Sequence, residues 1–269
     1  MKQKMDQLKN IFSSMDKVLI AYSGGVDSTF LVKTAQDVLG DKVTAVIVIS
    51  PTLPIRELNE AREIAVKLGT QLVEMESQEM TLPDFLANTP QKCYFCKDHR
   101  FILLRNFAAE NDFHYIIDGS NSDDLSDHRP GQQAALEQGV RSPLQEAGLT
   151  KNEIRELARK MCLPNWDKPS SACLASRIPY GVEITSSLLK EIEDAEDFLF
   201  SLGFRQLRVR HHGKLARIEV PPEMFDQVMG NRSEIIKGFE AIGFSYTALD
   251  LKGFRSGSMN EVINSYGSK

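Results

Sequence analysis

Two rhythms of apolar residues alternate along the first half of the chain. Residues 17–22, 42–49, 71–75 and 115–118 are short, nearly continuous apolar runs of strand length. Residues 29–39 and 53–68 repeat their apolar positions at helical spacing, and Gly69 follows the second of these as a C-cap. Strands alternating with helices predict an α/β fold with a parallel sheet covered on both faces. In such a sheet ligands gather beyond the carboxyl ends of the strands, where the strand order reverses. The loops after the first, second and fourth runs are therefore expected to face one crevice.

The pattern changes further on. Pro90 suits a helix entry and the residues after Cys96 read as helical, which places Cys93 and Cys96 on one helical face. A helix is expected from Asp127 through Gln138. Another is expected over 151–161, opened by Thr150 with Glu153 three residues on. Residues 164–181 have no period and are rich in Pro and Ser, which marks a functional loop and a boundary. Beyond it come an acidic helix over 185–202 and a hairpin of strands 206–211 and 215–220 turned at Gly213-Lys214. A helical stretch over 223–242 and a strand near 246–251 complete a small α+β unit. The expected domains are 1–180 and 181–269.

At 269 residues the chain is long enough for one large and one small domain. A net charge of −5 argues against holding nucleic acid by bulk electrostatics. No apolar run approaches a membrane span. Met5, Leu8, Ile11, Phe12 and Met15 form an amphipathic opening helix with neither the apolar block nor the cleavage site of a signal peptide, so a cytoplasmic location is expected. There, metal or catalytic duty suits the four cysteines better than structural disulfides.

Ser23-Gly24-Gly25-Val26-Asp27-Ser28 joins the first strand to the first helix of the sheet. Its glycines allow a sharp turn, and the helix N-terminus beyond offers N–H groups and a positive dipole end to an anion. Ser23, Ser28 and Thr29 add hydroxyl donors, and Asp27 is placed to hold a Mg²⁺ that bridges phosphates. The Gly-Lys-Ser/Thr ending of an ordinary phosphate loop is absent. The motif resembles the pyrophosphate loop (PP-loop) of the N-type ATP pyrophosphatases, a superfamily that includes GMP synthetase, NAD synthetase, asparagine synthetase and tRNA thiolation enzymes. That resemblance implies a Rossmann-like, HUP-type domain that cuts MgATP between the α and β phosphates and forms an adenylated intermediate. It also implies that the strand end at Ser50 lines the adenine. Gly119, Asn121 and Asp124 follow the fourth strand, where they either meet the nucleotide and its metal or form a solvated turn.

Cys93, Cys96 and Cys173 form a second constellation. The Cys-x-x-Cys pair alone fits a redox dithiol or half a zinc site, and His99 could complete a Cys₃His zinc site. Cys162 beside Met161 and Leu163 reads as a core residue. Three thiolates around a [4Fe–4S] cluster would leave one iron open to exogenous sulfide.

Ser-Gly-Gly-Val-Asp-Ser, Asp-His-Arg-Pro-Gly, Arg-Ser-Pro-Leu, Pro-Ser-Ser-Ala-Cys-Leu-Ala-Ser-Arg and Gly-Phe-Arg-Ser-Gly occur in the order seen in the LarE family, which the chain resembles over nearly its whole length. The resemblance implies an ATP-dependent sulfur transferase. Such an enzyme adenylates a carboxylate of pyridinium-3,5-dicarboxylate mononucleotide and replaces its oxygen with sulfur in nickel-pincer cofactor synthesis. This sequence resembles the family members with three cysteines, which are similar to cluster-dependent thiolases; other members sacrifice the sulfur of one cysteine, and Cys173 is the candidate for that alternative. Arg208 and Arg210 share one face of a strand, which is either a solvated edge or a forked grip on a phosphate. The resemblance favours the substrate phosphate, with Ser176, Arg177 and Glu219 as further substrate or metal contacts. Sulfide or another sulfur donor, the mononucleotide and a second copy of the chain are the expected partners, with no membrane and no nucleic acid. A tRNA thiolase, an amide-forming NAD synthetase relative and a nucleotide sensor without catalysis are the competing readings.

Overall fold

A computed structural model of the protein describes residues 1–126 and 130–255. The start of the helix expected from Asp127 and the last two residues of Gly-Phe-Arg-Ser-Gly lie outside them. The chain divides into two compact units. The first takes Met1–Thr81 and Gln91–Ser171, and the second takes Leu82–Pro90 and the chain from Ala172 onward. The sequence reading set one boundary at residue 180. The structure instead groups the short segment 82–90 and the Cys173 region with the C-terminal elements.

In chain order the elements begin with α1 (Lys2–Ser13), β1 (Val18–Ala21), α2 (Val26–Leu39), β2 (Val43–Ile49), α3 (Ile55–Leu68) and β3 (Gln71–Glu76). Next come α4 (Pro83–Leu86) in the second unit, then α5 (Lys92–Glu110), β4 (Tyr115–Ile117), α6 (Pro130–Glu137), α7 (Pro143–Glu146) and α8 (Lys151–Lys160) in the first. The second unit continues with α9 (Ser186–Ser201), β5 (Arg208–His212), β6 (Leu215–Glu219), α10 (Phe225–Gly230), α11 (Arg232–Ile242) and β7 (Tyr246–Leu249).

The first unit is the expected parallel sheet, in the order β3-β2-β1-β4 with every pairing parallel. Its central strands β1 and β2 are buried on both faces, whereas the edge strand β3 is partly exposed. Val18 and Ile20 of β1 join a core with Phe12 and Phe30, whereas Leu19 between them joins another with Phe101 and Leu104. The strand order reverses beside β1, between its neighbours β2 and β4. The loops leaving β1 and β4 therefore flank the crevice where α/β proteins bind ligands. Gly69 ends α3 in the left-handed conformation, and Thr150 and Glu153 form the reciprocal capping box of α8, both as expected.

In the second unit β5 and β6 pair antiparallel and β7 joins β6 in parallel, over a core of Leu199, Val209, Ile218, Phe239 and Phe244. The helical stretch expected over 223–242 breaks into a short turn, α10 and α11. Gly230-Asn231, two weak helix formers, lie at the break.

One sequence reading is corrected and one of two alternatives is set aside. Cys162 is exposed, not core. It lies just past the end of α8 at φ 53°, and Leu163 takes the buried place. The arginine face of β5 is no solvated edge, because Arg208 and Arg210 are both buried.

Candidate active site

The turn from β1 into α2 is built by its own small residues. Gly24 has φ 69°, and a Cβ there would lie 2.6 Å from the Ala61 side chain of α3. Only glycine fits both demands. The Ser23 and Ser28 hydroxyls lie 3.0 Å apart, Gly25 N–H donates to Ser23 Oγ at 3.3 Å, and Ser28 Oγ donates to the Gly25 carbonyl at 3.2 Å. The loop is held in shape by weak, replaceable bonds at the N-terminus of a fourteen-residue helix, which leaves donors for an anion.

Asp27 lies in the first turn of α2. Burial raises its carboxyl above the usual range, and the hydrogen bond from Asn121 partly offsets this. Asn121 Nδ2 donates to Asp27 Oδ2 at 2.9 Å, while Oδ1 is buried with no hydrogen-bond partner among the described residues. An orphaned carboxylate oxygen beside an anion-binding loop fits a Mg²⁺ ligand, since that ion takes oxygen donors and few protein groups. Gly119 approaches the same turn so closely that a Cβ would lie 3.0 Å from Ser28 N. Asp118 shapes its loop by accepting from Ser120 N, Ser120 Oγ and Ser142 Oγ. Asp124 Oδ2 accepts from Asn121 N at 3.0 Å, so Asp124 holds the loop whose Asn121 and Gly119 meet the PP-loop turn.

Ser50, at the end of β2, leads to residues the sequence reading missed. Its hydroxyl donates to Glu79 Oε1 at 2.8 Å, as does Thr52 Oγ1. Glu79 is fully buried and also takes both prongs of the Arg100 guanidinium, at 2.7 and 2.8 Å. Burial alone would raise its pKa, but Arg100 and the two hydroxyls outweigh that and hold it at about 2. The Cys96 thiol donates to Glu79 Oε2 at 3.3 Å. One carboxylate thus ties the end of β2 to the thiol-bearing turn of α5. Cys93 is exposed and Cys96 half-buried, one turn apart on α5. Those two soft thiols fit a thiophilic metal. Among the described residues, however, no group of three or more His, Cys, Asp or Glu side chains is arranged to hold one.

Asn165 was missed too, inside the aperiodic loop that sequence reading flagged. Its Nδ2 donates to the Gly24 carbonyl and to Thr29 Oγ1, both at 3.0 Å, which pins that loop to the PP-loop.

In the second unit Cys173 is exposed and precedes a short 3₁₀ turn, Leu174–Arg177. Arg177 braces that turn. Its Nε and Nη2 meet both oxygens of buried Glu196 at 2.9 and 3.0 Å, and Nη1 donates to the carbonyls of Ala172 and Cys173 and to Ser176 Oγ. Arg210 donates to Glu219 at 2.9 Å and to the Ser176 carbonyl at 2.7 Å. Arg208, the cross-strand partner of Glu219, lies 4.7 Å from the centre of the Phe254 ring and makes no hydrogen bond through its guanidinium among the described residues. Burial and the positive charges of Arg177 and Arg210 lower its pKa to about 10. A buried guanidinium with open donors and cationic neighbours is stabilised by an anion.

A family model described as a PP-loop domain matches residues 1–128. The chain is 44% identical to an uncharacterized protein of Synechocystis sp., over 98% of this chain and 99% of that one. It is 38% identical to the pyridinium-3,5-bisthiocarboxylic acid mononucleotide synthase of Lactiplantibacillus plantarum, over 93% and 91% of the two chains. An uncharacterized protein of Methanocaldococcus jannaschii is 30% identical over 94% and 98%. Sheet, loop and family match together define an ATP-using PP-loop protein. Within that class the chain belongs to the LarE family, that of the Lactiplantibacillus synthase.

Proposed function

We propose that the protein is a sulfur transferase that adenylates a carboxylate of pyridinium-3,5-dicarboxylate mononucleotide and exchanges its oxygen for sulfur. Supporting this are the name carried by the Lactiplantibacillus relative and, above all, the Ser23–Ser28 turn with Asp27 Oδ1 beside it, which has no hydrogen-bond partner among the described residues. Ser23, Gly24, Gly25 and Ser28 bind the phosphates, Asp27 takes the Mg²⁺, and Ser50, Gly119, Asn121 and Asp124 border the nucleotide. A substrate carboxylate oxygen bonds to the α-phosphorus while the α–β anhydride bond breaks, and pyrophosphate departs with that electron pair. External sulfide then adds to the acyl carbon, and AMP leaves with the electrons of the C–O bond.

Cys93, Cys96 and Cys173 would hold a [4Fe–4S] cluster, which would supply an iron site that takes up sulfide. Arg208 grips the substrate phosphate, and Arg210 and Glu219 fix the strand beneath it. Ser176 lines the same turn, and Arg177 orients Cys173 through the backbone carbonyls it holds. The setting is cytoplasmic.

The test is the fate of ATP. With MgATP and the dicarboxylate mononucleotide the protein is expected to yield AMP and pyrophosphate, and Asp27→Ala to abolish that while remaining folded. ADP and phosphate would refute the proposal.

A further inference from the structure

Val209 lies in the core of the second unit, so the alternation along β5 puts Arg208 and Arg210 on the other face of the sheet. Their cross-strand partners on β6 are Glu219 and Arg217. Arg217 therefore stands on the same face, directly opposite Arg210. Like charges in that position destabilise a sheet, and an anion between them relieves the repulsion.

The nearby carboxylates serve Arg217 only in part. Glu219 lies 2.9 Å from Arg210 Nη2 but 3.2 Å from Arg217 Nη2. Asp250 lies 3.3 Å from Arg255 Nη1 but 3.7 Å from Arg217 Nη1, which is beyond hydrogen-bond reach. Arg217 Nε is buried with no hydrogen-bond partner among the described residues. A guanidinium carries five donors in a planar fork, so most of this one's donors stay open. His212, the next residue on that face of β5, has its pKa lowered first by burial and then by the Arg217 charge. The Arg217 side chain is 29% exposed, which leaves it within reach of a ligand.

We propose that Arg217 binds the carboxylate of the dicarboxylate mononucleotide that is not being adenylated, and so selects a substrate with two carboxylates. This rests on the substrate reading above, in which Arg208 takes the phosphate. Arg208 and Arg217 are diagonal neighbours across the β5–β6 ladder, a separation on the order of 7–8 Å. Their long side chains can thus hold two anionic groups at different ends of one small molecule, each by a forked pair of bonds.

The test is calorimetry on wild type, Arg217→Ala, Arg217→Gln and Arg217→Lys with two probes. One is the dicarboxylate mononucleotide, and the other is nicotinamide mononucleotide, which keeps the phosphate but carries a neutral carboxamide. In the alanine variant Glu219 keeps Arg210 and Asp250 keeps Arg255, so neither carboxylate is stranded. Circular dichroism checks the fold. Loss of a charge-assisted bond predicts about ten- to a hundredfold weaker binding of the dicarboxylate in Arg217→Ala and Arg217→Gln. Binding of nicotinamide mononucleotide is expected to be unchanged, and lysine to restore part of the loss. Arg208→Ala, by contrast, is expected to weaken both probes. Unchanged dicarboxylate affinity in the folded alanine or glutamine variant, or an equal loss for both probes, would overturn the assignment while leaving the substrate reading intact. Wild-type protein that does not bind the dicarboxylate would overturn both.

Discussion

Replacing Glu79 by glutamine probes the buried ion pair that ties the end of β2 to α5. The carboxylate is fully buried and its pKa falls from 4.5 to about 2. At ~1.4 kcal/mol per pKa unit that shift is worth ~3 kcal/mol of stability at neutral pH. The sign follows from the direction. A folded pKa below the unfolded one gives stability that is fully present above 4.5 and is lost as pH falls toward about 2. The site's contribution therefore drops by ~2 kcal/mol between about pH 5 and about pH 3. Glutamine keeps the shape and part of the hydrogen bonding but loses the charge. Urea unfolding followed by circular dichroism should show Glu79→Gln weaker than wild type by ~3 kcal/mol near neutrality, with the gap closing by ~2 kcal/mol near pH 3. A gap of equal size at both pH values would refute the reasoning, because the loss would then be one of packing and not of charge.

The two arginines of β5 should separate. Arg210→Ala leaves buried Glu219 without its main partner and is expected to cost about 3–5 kcal/mol in urea unfolding. Arg208→Ala removes no hydrogen bond among the described residues and should leave stability nearly unchanged, while weakening mononucleotide binding about ten- to a hundredfold by titration calorimetry. Gly24→Ala should abolish ATP binding. Adding Ala61→Gly should restore it only in part, because the contact is relieved but the φ of 69° is not. Thr150→Ala removes the cap of α8 and should cost ~1 kcal/mol.

The sheet was legible because its central strands β1 and β2 are buried on both faces, so apolar runs, helical spacing and the Ser23–Ser28 turn all pointed one way. The caps of α3 and α8 were legible for the same local reason. Glu79 and Arg100 were not, since they meet across twenty-one positions of chain and neither carries a pattern of its own. Asn165 was hidden similarly, although the loop holding it was marked by its composition. Arg208 and Arg210 look in sequence like an exposed alternating strand. Only the elements covering β5 show that both are buried, one with a carboxylate and one without. Cys162 misled because helical periodicity was extended one residue too far, past the point where the backbone turns left-handed. The grouping of 82–90 with the C-terminal unit depends on contacts such as Asn88 Nδ2 with the Pro179 and Val182 carbonyls, which no local signal announces.

Sulfur transfer to an adenylated carboxylate is tested most directly by supplying isotopically labelled sulfide. The protein, loaded with iron and sulfide under anaerobic conditions, would be incubated with MgATP and the dicarboxylate mononucleotide. Mass spectrometry would then follow both product and protein. Expected are labelled thiocarboxylate exceeding one equivalent per chain, one AMP for each sulfur transferred, and Cys93, Cys96 and Cys173 all intact. Product carrying unlabelled sulfur, with Cys173 converted to dehydroalanine, would contradict the account, as would AMP release without any sulfur in the product.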